Sequence, residues 1–352
     1  MGLPVDATRI LASGPRSHDS VEIVVLVGPI PMTSPREQAA IPERTRFSAR
    51  DRPNAQLAGL EAALADRYVI EREIGQGGMA FVYKARDIAN ERDVALKVLR
   101  PEMTAAVGAA RFLREIAIEQ RLSHPGILPL YDWGWAGGSL YYTMTYVEGE
   151  TLRDRLLRVP QLSLSEAIAV AGDVAAALDY AHAEHVVHRD IKPANILLSD
   201  GRALVADFGI ARAVTVAGGD QLTGSGVGLG TPEYMSPEQS SEARLVEGST
   251  DIYALGCVFY EMLAGEPPFS GPNVQTVMER HAKSPPPLLH IIRPSLPPGL
   301  DAVIARTLAK APKDRFTSGA EFIAAVTAAT AEGETKPVLY SEAARKFKWP
   351  WR

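Results

Sequence analysis

Between His188 and Asp207 the chain carries a carboxylate, an ammonium, an amide and a second carboxylate: His188-Arg189-Asp190-Ile191-Lys192-Pro193-Ala194-Asn195, then Asp207-Phe208-Gly209 twelve residues further on. These are the residue types that phosphoryl transfer needs. A carboxylate orients a hydroxyl nucleophile, positive charge meets the moving phosphoryl group, and oxygen donors hold Mg²⁺. Asp190, Lys192, Asn195 and Asp207 can each take one of those parts.

Two features upstream invite an anion. In Ile74-Gly75-Gln76-Gly77-Gly78-Met79-Ala80-Phe81-Val82 the glycines let the backbone come close to phosphate oxygens, because no Cβ obstructs the approach. The residues that follow, Phe81-Val82-Tyr83-Lys84-Ala85, alternate as a strand, whereas a dinucleotide-binding turn feeds a helix, so a Rossmann site is set aside. Ala80 stands where a third glycine of a G-x-G-x-x-G pattern would fall. Taken alone, the turn reads equally well as a plain hairpin. The second feature is Lys97 in the apolar run Val94-Ala95-Leu96-Lys97-Val98, where a buried ammonium needs an anion. Glu115, eighteen residues on, shares a helical stretch with Phe112 and Ile116 and is the natural partner, with nucleotide α- and β-phosphates as the second anion. Read separately, the two would be a snorkelling lysine and a solvated glutamate; the motifs downstream favour the pair.

Positioning these groups takes two kinds of element. Alternating patterns at 68–74, 80–86 and 93–99 predict three successive antiparallel strands, separated by the glycines at 75–78 and the polar turn at 87–92. A helix is expected over 105–122, ending before His124-Pro125-Gly126. Strands at 127–135 and 139–146, around Gly137-Gly138, complete a small five-stranded sheet with one main helix. Beyond Gly149, helical periods take over at 164–184, 249–264, 298–310 and 319–329. The fold class is therefore α+β, a small β lobe (68–148) and a larger, mainly helical lobe (149–329).

Outside these lobes the pattern weakens. Residues 1–56 hold seven prolines and no sustained apolar period, and read as a mostly disordered arm, with 21–27 as a sticky element within it. Leu57, Leu60 and Leu64 predict a short amphipathic helix, 57–67, leading into the domain. In the tail, 330–352, the basic and aromatic run 345–352 is a frayed end or a weak contact with a membrane surface or partner.

Bulk composition excludes other classes. A net charge of −5 leaves no global basic field for nucleic acid. Cys257 is the single cysteine, so no internal disulfide can form, and its apolar neighbours suggest a buried helix position. The apolar run at 23–27 is far shorter than the roughly 20 residues of a membrane helix. No transmembrane segment and a cytoplasmic location are expected.

In their order, these pieces resemble the bacterial eukaryotic-like (Hanks-type) serine/threonine protein kinases over residues 68–329: glycine turn, Lys97, Glu115, the segment 144–147, the 188–195 and 207–209 motifs, Ser236-Pro237-Glu238, Asp251 and Arg315. The resemblance implies a bilobal protein-kinase-like fold with ATP in the cleft, Mg²⁺ as the metal (Mn²⁺ as the alternative ion) and protein substrates. It implies that Asp190 orients the substrate hydroxyl, Lys192 contacts the γ-phosphate, and Asn195 and Asp207 hold the metal. The turn from Ile74 to Val82 would cover the nucleotide. Met144-Thr145-Tyr146-Val147 would be the hinge, with Met144 guarding the back pocket, and Val82, Ala95 and Leu197 would sandwich adenine. Lys192, two residues after Asp190, is the Ser/Thr-type pattern. Thr231, in such kinases, bonds the catalytic aspartate and lysine. Glu238–Arg315 would tie the activation segment to the helical lobe, and Asp251, otherwise a plain helix N-terminal acid, would anchor the catalytic-loop backbone.

Regulation and one departure complete the reading. Arg189 needs an anion, for which the resemblance suggests phosphate on the segment 207–238; Thr223, then Ser225, are the expected autophosphorylation sites, a reaction that a homodimer would serve. Glu119 stands where active kinases place an apolar side chain against Phe208. Either Ile118 fills that place by a shift in register, or the active state is less stable and basal activity low. The alternatives are a pseudokinase scaffold or nucleotide sensor, which typically lacks one of Lys97, Asp190 and Asp207, and a small-molecule kinase, against which the segment from Thr231 to Glu238 speaks.

Overall fold

In a computed structural model, residues 52–101, 103–104, 116, 119–208, 231–240 and 246–333 are described. Helix α1 runs Arg52–Leu64, starting earlier than the expected 57 and stopping short of 67. Pro53 falls in its first turn, where a missing N–H leaves nothing unsatisfied. At the other end Arg67 N–H donates to Leu64 O at 2.8 Å and turns the chain into the first strand.

Five strands follow: β1 (Tyr68–Gln76), β2 (Ala80–Asp87), β3 (Arg92–Leu99), β4 (Leu130–Ala136) and β5 (Ser139–Thr145). They form one antiparallel sheet in the order β1-β2-β3-β5-β4. The fourth strand starts three residues later than expected. Pro129 cannot donate to a ladder, and Ile127 instead makes a lone parallel bridge to Val205.

Register decides what the sheet presents. Directly opposed residues of antiparallel strands share a face, and Lys97 lies opposite both Val82 and Tyr142, with Ala95 opposite Met144. Val82, Ala95, Lys97, Tyr142 and Met144 therefore line one face. The other face buries Tyr83, Val94, Leu96, Val98 and Tyr141 against Leu60 and Leu64 of α1. Gly137 turns the β4–β5 hairpin at φ +57°, and a Cβ there would lie 3.0 Å from the Leu60 amide. Glycine at 137 thus serves both the turn and the seating of α1.

The second lobe is built on α2 (Leu152–Arg158), α3 (Leu164–Ala183), α4 (Gly248–Ala264), α5 (Val274–Lys283), α6 (Gly299–Thr307) and α7 (Gly319–Gly333). Thr151 and Ser163 cap α2 and α3 by accepting from Asp154 and Glu166 amides. From Thr250 to Ala264, α4 is buried all round, as a helix apolar on every face must be. Cys257 lies in it, fully buried, with its thiol pushed up by burial. Short strands β6 (Glu150–Thr151), β7 (Ile196–Ser199) and β8 (Arg202–Val205) make a second sheet that sequence periodicity did not reveal. Strands of two and four residues hold too few side chains to show alternation.

One ion pair closes this lobe from beneath. Arg315, with its side chain fully buried, donates from both terminal nitrogens to Glu238 at 2.7 Å, and also to the carbonyls of Ala309, Ser249 and Lys310. Burial opposes the Glu238 charge, but Arg315 outweighs it and holds the carboxyl below its ordinary value of 4.5. Arg315→Ala should destabilise the protein by about 3–5 kcal/mol, because a buried carboxylate is left unpaired. A group with a depressed folded pKa contributes stability that is present above its unfolded value and lost as pH falls through the folded one. Urea unfolding of wild type should accordingly weaken below about pH 4.5 more steeply than that of Glu238→Gln; parallel curves would remove this role.

Candidate active site

The loop that carries Asp190 is held through its backbone. Asp251, fully buried in the first turn of α4, accepts from the Arg189 amide at 2.7 Å and the His188 amide at 2.8 Å, while His182 Nε2 lies 2.8 Å from the same carboxylate. Arg189 needs such support. Its φ of +69° lies in the left-handed region, which costs a non-glycine residue on the order of 1–3 kcal/mol. Gln239 adds a bond to the Arg189 carbonyl at 2.8 Å. His188 bridges onward: its Nε2–H donates to Ala206 O at 2.9 Å, its Nδ1 accepts from the Asp190 amide at 3.2 Å, and its ring meets Phe208 edge-on at 4.5 Å.

Three side chains of this loop converge. Lys192 Nζ donates to Asp190 Oδ2 at 2.7 Å, and Asn195 Nδ2 donates to the same oxygen at 3.0 Å and to the Asp190 carbonyl at 2.8 Å. Both donors fix the carboxylate. Oδ1 has no partner among the described residues, so one oxygen remains to meet a hydroxyl. Asn195 spends its amide nitrogen on Asp190 and keeps its side-chain oxygen as an acceptor.

Asp207 sits where the two lobes meet, and like Arg189 it adopts a left-handed φ, +64°. Lys97 hydrogen-bonds its Oδ2, and Tyr142 donates to its Oδ1 at 2.7 Å. Burial works against the Asp207 charge, yet Lys97, the Tyr142 hydroxyl and His188 more than offset it, leaving the carboxyl below its ordinary value. Glu119 lies behind, 5% exposed, with its Oε2 unpartnered and the Phe208 amide bonded to its carboxyl. There burial, reinforced by the Asp207 charge, raises the acid well above the carboxylate range.

The sheet contributes the upper wall. Gly77 N–H donates to Ala80 O at 2.9 Å and closes the tip of the β1–β2 hairpin. Val82, Ala95, Lys97 and Met144 share the face described above, while Leu197 comes from β7 of the other lobe. Met144, Thr145, Tyr146 and Val147 are all half-buried where the sheet passes into the helical lobe, with the Thr145 and Tyr146 hydroxyls bonded to Tyr131 and Arg72.

Residues 68–327 match the protein kinase domain. The chain belongs to the protein kinase family. It is 40% identical over 264 residues to serine/threonine-protein kinase PknB of Mycobacterium tuberculosis strain H37Rv, covering 73% of this chain and 42% of that protein. It is 43% identical over 277 residues to PknJ of the same strain, covering 76% of this chain and 46% of the relative. PknH of Mycobacterium bovis is 40% identical over 256 residues, 72% of this chain and 42% of the relative. The chain thus spans less than half the length of these curated relatives. The family uses ATP and a divalent metal ion. Among the described residues, no helix is long and apolar enough to cross a membrane.

Set against the kinase expectations, the structure brings Asp190, Lys192 and Asn195 together, joins Lys97 to Asp207, and pairs Glu238 with Arg315. Glu115, Ile118, Gly209, Thr223 and Ser225 lie outside the described residues; the carboxylate seen on Lys97 is that of Asp207. Thr231 does not reach Asp190 or Lys192 among the described residues. It is exposed at the start of the turn Pro232–Tyr234. Two contributors escaped sequence reading. His182 could have been suspected only from its place in the last turn of α3, and Tyr142 only once strand register was known.

The acid at 119 yields a test. A carboxyl with a raised folded pKa weakens the fold as pH rises above its unfolded value of 4.5. Glu119→Gln keeps the shape and the acceptor for the Phe208 amide without that burden. It should be more stable than wild type to thermal unfolding at pH 7–8, with the gap closing toward pH 4.5; a glutamine variant that is less stable at pH 8 would refute the buried acid.

Proposed function

We propose that this chain transfers the γ-phosphoryl group of ATP to serine and threonine hydroxyls of protein substrates. The observation that carries the reading is the Asp190 carboxylate, held on one oxygen by Lys192 and Asn195 and open on the other. That open oxygen can accept a hydroxyl proton and orient the nucleophile in line with the phosphoryl group. Lys192, on the same carboxylate, is within reach of the γ-phosphate, and Lys97 supplies charge for the α- and β-phosphates. The relatives, all named as serine/threonine-protein kinases, support the choice of hydroxyl.

The donor set suits Mg²⁺, with Mn²⁺ as a substitute. Asp207 and Asn195 offer oxygens, and the described residues hold no cluster of three metal-binding groups, as fits an ion completed by phosphate and water. Bound there, the metal would neutralise charge on the β- and γ-phosphates. The glycines of the β1–β2 turn support a nucleotide above it. A Cβ at Gly78 would meet nothing within 4 Å and one at Gly77 only a carbonyl at 3.8 Å, so packing alone does not require glycine there. Close approach of a phosphate to the backbone does.

Autophosphorylation of Thr223, with Ser225 as second site, between two copies of the chain, and a location in the ATP-rich cytoplasm, belong to the same reading. With labelled ATP and Mg²⁺, the full chain should label itself and proteins of a bacterial lysate on serine and threonine. Asp190→Asn should cut the rate about 10²–10⁴-fold, the usual contribution of a general base. Equal labelling by that variant would end the assignment. Mass spectrometry of active protein should find phosphate on Thr223 or Ser225; its absence from both would count against that pair of sites.

A further inference from the structure

Tyr142 has no part in the reading above, yet its hydroxyl bonds the carboxylate that reading assigns to the metal. Its ring is 1% exposed and packs with Leu99, Met103, Ile116 and Leu140, work that phenylalanine would do equally well. The hydroxyl is the addition. It lies 2.7 Å from Asp207 Oδ1 and is the donor, because an ionised carboxylate can only accept. Strand register places it there: Tyr142 stands directly opposite Lys97, and the two reach across the cleft to different oxygens of one carboxylate.

We propose that Tyr142 is a positioning residue for the metal-binding carboxylate, its hydroxyl fixing the rotation of Asp207 so that a divalent cation meets one preset orientation. This rests on the kinase reading and deepens it. A carboxylate has about four lone-pair sites, and the two donors occupy one on each oxygen, leaving others for a cation without breaking either bond. Of the two donors, Tyr142 is the stiffer. Lys97 carries its charge on a flexible four-carbon stem, whereas the tyrosine ring turns about two torsions and is locked by its neighbours. The left-handed backbone at Asp207 adds the need, since a strained main chain holds its side chain only where surrounding contacts determine it. Partners that orient a metal ligand from behind are typically worth about 10–100-fold in metal affinity.

Tyr142→Phe in the full chain tests this. Mn²⁺ binding, followed by electron paramagnetic resonance with a non-hydrolysable ATP analogue present, should weaken about tenfold. Affinity for the analogue in EDTA and the melting temperature should stay close to wild type. Unchanged Mn²⁺ affinity would overturn the proposal, and so would equal losses with and without metal, which would mean that Tyr142 only packs. Asp207→Asn separates this from the wider reading. If Asp207→Asn weakens Mn²⁺ binding and Tyr142→Phe does not, only the positioning role falls; if Asp207→Asn leaves it unchanged, the metal site itself is lost.

Discussion

An ammonium placed in an apolar strand is the constraint around which the cleft is arranged. Lys97 has Leu96 and Val98, both fully buried, as chain neighbours, and a charge there is tolerated only against an anion. Asp207 supplies it from the other lobe, so one polar contact joins the sheet to the helical half of the molecule. The pairing serves both partners. It holds the Asp207 carboxyl below its ordinary value despite burial, and it holds the lysine facing the cleft rather than snorkelling outward.

Behind that contact, the backbone is under strain at two points, and the core supports both. Arg189 and Asp207 have left-handed φ values that neither would choose alone. Arg189 is fixed because Asp251 receives two successive amides, and Asp251 is fixed because α4 is surrounded by apolar side chains. His188 ties the two points together through Ala206 and Phe208. The geometry of the Asp190 loop therefore rests on the most buried of the described helices. The Glu238–Arg315 pair, packed against Tyr253 of the same helix, guards it from below.

Much of this was legible in the residues. The alternation of 80–86 and 93–99 marks strands that the structure extends by a residue each, since half-buried strands write their period into the sequence. The clustering of Asp190, Lys192 and Asn195 is local and so is visible directly. What escaped has a common cause: it depends on contacts between distant segments. Tyr142 looks like any core aromatic until register sets it opposite Lys97. Strands β6 to β8 are too short to carry a pattern, and Pro53 masks the start of α1 because proline is read as a breaker although a first turn accepts it.

Glu119 stands beneath Phe208, where a carboxylate would be costly to bury. Charge counting gives a different answer. Among the described residues Lys97 is the cation that attracts both Asp207 and Glu119, and one positive charge cannot neutralise two buried carboxylates. One acid must keep its proton, and their environments decide which. Asp207 has a donor on each oxygen and is depressed; Glu119 has an unpartnered oxygen and is raised. The protonated acid is electrically neutral, so it can lie among Ile116 and Phe208, both fully buried, where an ion could not. Glu119 thus departs from the apolar pattern in residue type while supplying the uncharged state that its position demands.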